Sequence, residues 1–136
     1  FTMMELYQAY GDYNELMDFC EEMVGHVCRS VCGSDKVNYQ GVEIDFRRPW
    51  RRVSMHDAIK EVTGLDPLGL KTFEEAKAAA AGLGIQLAGE ESIGEIVNTI
   101  FEEKVEATLM QPTFIIDYPV EISPLTKVHR TKPGLV

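Results

Sequence analysis

Three times in this sequence a small polar residue is followed three positions later by a glutamate, and then by apolar residues at helical spacing. The pairs are Asp12 with Glu15, Thr72 with Glu75, and Ser92 with Glu95. In such a box the first side chain accepts from the third backbone N–H of a helix, and the glutamate accepts from the backbone N–H of the first residue. The spacing therefore fixes three helix starts. After Asp12, the residues Leu16, Phe19, Cys20, Met23, Val24, Val27, Cys28 and Val31 recur at helical period until Gly33. Burying each would contribute roughly 1.5 to 3 kcal/mol before entropy is charged, so this helix is expected to form a principal part of the core. The other two boxes predict helices over 73–82 and 93–108. Phe73, Ala76, Ala80 and Leu83 form one stripe, and Ile93, Ile96, Val97, Ile100, Phe101 and Val105 the other.

The intervening segments read as strands and turns. Residues 37–46 alternate Val42, Ile44 and Phe46 with Glu43 and Asp45 after Gln40-Gly41, the pattern of a hairpin with one wet face. Ser54, with Asp57 three residues on, caps a short helix through about Val62, and 64–69 is a loop. PTFIIDYPVEI, beginning at Pro112 in QPTFII, is rich in β-branched and aromatic residues and predicts a buried strand. The Pro-broken tail SPLTKVHRTKPGLV reads as a loop cut short. The first ten residues, FTMMELYQAY, read as a strand with Phe1, Met3, Glu5 and Tyr7 on one face and Thr2, Met4 and Leu6 on the other. The fold class is α+β.

At 136 residues and 45% hydrophobic content, one domain with its own core is expected. Thirteen Lys and Arg against 22 Asp and Glu argue against a chain built mainly to grip phosphates. No run of 18 apolar residues and no secretory signal pattern is present, so no membrane partner is expected. Three cysteines without a CxxC pair suit a reducing compartment, with cytoplasm the expected location. The chain opens on Phe1 rather than Met, and an excised piece of a longer protein is the simplest explanation.

Few residues offer chemistry. Cys20 and Cys28 fall on the apolar stripe, where a thiol behaves as a small hydrophobe; Cys28 and Cys32, one turn apart near His26, lack zinc spacing. No metal site is expected within the chain. His56 and His129 sit in no hydrolase or zincin motif and are expected in solvent. RRPWRR places Arg47, Arg48, Arg51 and Arg52 around Trp50; these could meet phosphate, or offset neighbouring carboxylates. GLGIQLAGE lacks the lysine of a phosphate loop and dinucleotide-binding spacing. On the opening strand, Glu5 beside Tyr7 could hold an alkyl-ammonium group and Phe1 could stack on a base. An amphipathic strand with Glu5 and Tyr7 in solvent fits the same spacing.

Two blocks bear a family resemblance. FTMMELYQAYGDYNELM resembles the second half of motif 2 and the following helix of class II lysyl-tRNA synthetases. QPTFIIDYPVEISPLTKVHRTKPGL resembles the strand and loop between that family's helical insertion and motif 3, and GSDKVNYQGVEIDFRRPWRRVSMHDAI keeps a family look between them. The resemblance implies part of a class II catalytic core: a partial antiparallel sheet with flanking helices and a helical insertion. Residues 1–64 would be core, 65–110 the insertion, and 111–136 a core strand with a truncated loop. It further implies ATP-dependent activation of lysine to lysyl-adenylate and transfer to tRNA(Lys), with Mg2+ ligands outside this chain and a homodimeric parent. Phe1 would stack on the adenine of ATP with Met3 beside it, and Glu5 would hold the lysine ammonium with Tyr7. No residue is assigned to the chemical step. Motif 1, the arginine of motif 2 and motif 3 are absent, so the chain alone is expected to be inactive, and its unpaired sheet edges to favour self-association. The alternatives are a noncatalytic, synthetase-derived binding or interaction module and a truncated paralogue that lysylates an elongation factor.

Overall fold

The computed structural model describes residues 1–89 and 91–136, which divide into two compact units, 1–50 and 51–136. The first holds helix α1 (Tyr13–Cys32) and strands β1 (Lys36–Tyr39) and β2 (Val42–Asp45). The second holds strand β3 (Arg51–Ser54), helices α2 (Met55–Thr63), α3 (Phe73–Gly82) and α4 (Ile93–Lys104), and strand β4 (Thr113–Ile116). Both α and β elements are present, as the sequence patterns require.

All three capping boxes form. Asp12 Oδ1 accepts from the Asn14 N–H at 2.8 Å, and Glu15 accepts from the Asp12 N–H at 3.1 Å. Thr72 with Glu75 and Ser92 with Glu95 repeat the pattern at α3 and α4. Helix α1 ends at Gly33, whose φ of 71° is the left-handed cap that a side chain would disfavour. Helix α4 stops at Lys104, short of the predicted residue 108, and Glu106–Thr108 tightens into a 3-10 turn.

In the hairpin, Gln40 and Gly41 both have positive φ, 51° and 85°, the turn whose twist matches the flanking strands. Val37 opposes Ile44 and Tyr39 opposes Val42 on one face. Lys36 and Glu43, on the other, pair at 2.6 Å.

The second unit contains a strand that the sequence reading missed. RRVS pairs in parallel with TFII, Arg51 opposite Thr113 through Ser54 opposite Ile116. Parallel neighbours need a long crossover, and α2, α3 and α4 supply it. The core lies under this crossover: Met55, Ile59, Ile96, Ile100 and Val105 are essentially inaccessible, with Ala76 and Ala80 of α3 against them. The predicted α3 and α4 stripes are thus the ones that pack. Strand β4 is half-buried rather than fully buried.

Two expectations are corrected. Residues 1–10 form no strand: a strand exists only through a ladder, and among the described residues the ladders join β1 to β2 and β3 to β4. The opening residues are exposed instead, with a turn at Ala9 and Tyr10. Helix α1 is not a principal core element: Phe19, Val27 and Val31 are exposed, and its buried residues are Met17, Glu21, Gly25 and Cys28. Periodicity located an apolar face, while burial follows the strip that meets the rest of its own unit.

Candidate functional site

The opening segment carries the side chains expected to bind substrate. Phe1 and Tyr7 are fully or almost fully exposed and Met3 largely so. Glu5, also exposed, accepts a hydrogen bond from the Tyr7 hydroxyl at 3.2 Å. The i, i+2 spacing thus places carboxylate and phenol side by side even without a ladder. Together they present a carboxylate whose second oxygen can meet a cation, next to a phenol that fixes its direction.

Also in the first unit, Glu21 of α1 is a buried carboxylate. It accepts from Arg48 Nε at 3.2 Å and from the Trp50 N–H at 3.2 Å, while the Trp50 indole N–H donates to the Phe46 carbonyl at 3.0 Å. Arg47 donates to Asp45 at 2.9 Å, and its guanidinium holds the Asp45 carboxyl down at about 2. In the second unit Arg51 pairs with Glu61, and Arg52 lies 5.9 Å from the Phe114 ring centre. Arg47, Arg48 and Arg51 of RRPWRR therefore face carboxylates, which favours charge compensation over phosphate binding. The cysteines are all free thiols: Cys28 is buried, Cys20 half-buried and Cys32 exposed. Cys28 donates to the Ser34 carbonyl at 3.0 Å, and burial pushes its thiol up.

A second polar cluster was not foreseen. Asp117, buried and with φ of 59°, ion-pairs with Lys132 and faces His129 Nε2 at 3.5 Å. His129 Nδ1 accepts from the Thr131 and Lys132 N–H groups at 3.1 and 3.0 Å, which assigns the ring proton to Nε2 if the ring is neutral. His129 is therefore a loop brace rather than the solvated residue expected. The tail is tied back by the Val120 N–H on the Gly134 carbonyl and the Val136 N–H on the Tyr118 carbonyl. His56 is corrected as well. It is buried at the start of α2 with Nδ1 unpartnered among the described residues, and burial pushes its pKa down against the opposing pull of Asp117. The signal for Asp117 was thin: one acidic residue directly after the strand TFII, 15 positions before its lysine.

Among the described residues, no group of three or more His, Cys, Asp or Glu side chains could hold a metal ion, and no helix is long and apolar enough to cross a membrane.

The chain belongs to the class II tRNA synthetases: the family model "tRNA synthetases class II (D, K and N)" matches residues 1–135. Within it, the similar relatives are lysine–tRNA ligases. That of Nostoc punctiforme is 56% identical over the whole chain, that of Trichormus variabilis 55% and that of Prochlorococcus marinus 49%. The chain spans about a quarter of the length of these relatives, 24%, 24% and 27% respectively.

Proposed function

We propose that this chain is the part of a lysine–tRNA ligase catalytic domain that supplies the lysine-recognising face, in a parent that activates lysine with ATP and transfers it to tRNA(Lys). The observation that carries the reading is the match of the entire chain to lysine–tRNA ligases, reinforced by the Tyr7–Glu5 hydrogen bond at the matching motif 2 position. In this reading Glu5 accepts the substrate ammonium, Tyr7 holds the carboxylate in line, and Phe1 and Met3 flank the adenine. A full charge-assisted pair, with no competing protein cation on Glu5 among the described residues, selects a long basic side chain over neutral ones.

Class II enzymes of this family use ATP and Mg2+, and the described residues contain no site fit for the metal. The charge that builds on the phosphoryl group needs preorganised cations, which the family resemblance assigns to the arginines of motifs 2 and 3, so the isolated chain is expected to be inactive. Residues 1–64 and 111–136 are core in this reading and 65–110 an insertion. The exposed Phe19, Val27 and Val31 of α1 lie against other parts of the parent, and uncovered they promote self-association of the isolated chain. A homodimeric, cytoplasmic parent belongs to the same reading.

The test replaces the matching segment of the Trichormus variabilis relative with residues 1–136 and follows lysine-dependent ATP–pyrophosphate exchange. Exchange by the chimera and none by the isolated chain is expected. A silent but folded chimera would favour a noncatalytic binding module.

A further inference from the structure

Residues 122–136 hold three of the thirteen Lys and Arg and none of the 22 Asp and Glu, in a chain of net charge -9. Most cations elsewhere are engaged: Arg29 by Asp35, Lys36 by Glu43, Arg47 by Asp45, Arg48 by Glu21, Arg51 by Glu61 and Lys60 by Asp66. Within the tail, Lys132 is consumed by Asp117. Lys127 and Arg130 are exposed, and neither has a carboxylate partner among the described residues. Between and beside them stand Leu125, fully exposed, and Val128, two-thirds exposed.

The loop that carries these side chains is held from below. Its ends meet where Pro119 bridges Leu135, and the buried Asp117, in a left-handed conformation costly for a non-glycine residue, pins Lys132 and His129 at its base. A braced loop loses little freedom when its tip is contacted, which favours a binding role over a spacer. Two cations flanking small apolar side chains match a sugar–phosphate backbone, whose charges are regularly spaced and whose sugars are apolar at the edge.

We infer that the loop 123–130 is an RNA contact, Lys127 and Arg130 meeting backbone phosphates and Leu125 the adjoining sugar or base face. The inference rests on the lysine–tRNA ligase reading for the choice of RNA over other polyanions. It is measured without lysine or ATP, so failure of the lysine pocket and failure of this contact are separable.

The experiment is fluorescence anisotropy of a labelled acceptor-stem RNA hairpin against the chain between about 50 and 200 mM salt. Two duplex phosphate contacts contribute about 1.8 to the slope of log K against log salt. Lys127→Ala/Arg130→Ala should lose that much slope. Lys71→Ala/Lys104→Ala, which removes the same charge elsewhere on the surface, should lose almost none. Equal losses in both pairs, an unchanged slope in the loop pair, or no binding by the wild type at the lowest salt would overturn the proposal. Displacement of the RNA by ATP at matched phosphate concentration would also overturn it, in favour of a nucleotide contact. Lys71, Lys127 and Arg130 are solvent-exposed and Lys104 is half-buried, and unchanged circular dichroism confirms that each variant is folded.

Discussion

Ile100 and Phe19 make a paired test of where this chain keeps its core. Both lie on helical apolar stripes, yet Ile100 is 0% exposed and Phe19 43% exposed. Ile100→Ala removes three buried carbons, about 2.4 kcal/mol at roughly 0.8 kcal/mol each, and the unfilled cavity raises the loss into the range of about 2 to 5 kcal/mol. A buried phenylalanine truncated to alanine costs about 3 to 5 kcal/mol, but Phe19 is already half in water and should lose about 1 kcal/mol or less. Urea unfolding followed by helical circular dichroism gives both numbers as midpoint shifts at constant m-value. Ile100→Ala should shift the midpoint strongly and Phe19→Ala little. Equal losses, or a larger one at Phe19, would refute the placement of the core under the β3–β4 crossover.

Four further outcomes follow from local geometry. A methyl at Gly94 would stand 2.9 Å from Pro119 Cβ and against the Glu121 carboxylate, whereas one at Gly82 meets nothing within 4 Å. Gly94→Ala should therefore lose about 1 to 3 kcal/mol to overpacking, less up to about 1 kcal/mol of helix propensity, and Gly82→Ala should be neutral or stabilising in the same urea assay. His56 has a folded-state pKa below its ordinary 6.5, so the unfolded chain binds more protons below that pH and the His56 contribution is lost as pH falls. Subtracting His56→Gln midpoints from wild-type midpoints between pH 7.5 and 5.5 should show that loss, and a flat difference would exclude it. Glu75, Glu95 and Asp45 have folded pKa values below their ordinary ones, so their stabilisation is complete above about 4.5 and disappears as pH falls toward about 2 for Asp45. Thr72→Ala should cost about 1 kcal/mol at neutral pH, measured by thermal melting.

Local chemistry was legible and pairing was not. The helix starts could be read because a capping box is satisfied within four residues, and the hairpin because Gln40-Gly41 admits the turn that its strands require. Strand β3 was opaque, since its partner lies about 60 residues away and four arginines and a tryptophan disguise it. The burial of α1 was misjudged because period identifies an apolar stripe, not whether this chain supplies its cover. His56 and Asp117 illustrate the same limit: each is polar, and only tertiary placement buries it. Glu5 and Tyr7 show the converse, since their two-residue spacing brings carboxylate and phenol within hydrogen-bonding distance without a sheet.

The most direct test of the central claim is the affinity of the chimera for a nonhydrolysable lysyl-adenylate analogue, by calorimetry, with and without Glu5→Ala. A substrate ammonium that loses its charge-assisted carboxylate partner forfeits about 2 kcal/mol, a weakening of about thirtyfold. The account predicts that loss, with adenosine-only ligands unaffected. Equal analogue affinity in the two chimeras would contradict it and remove the opening segment from the lysine pocket.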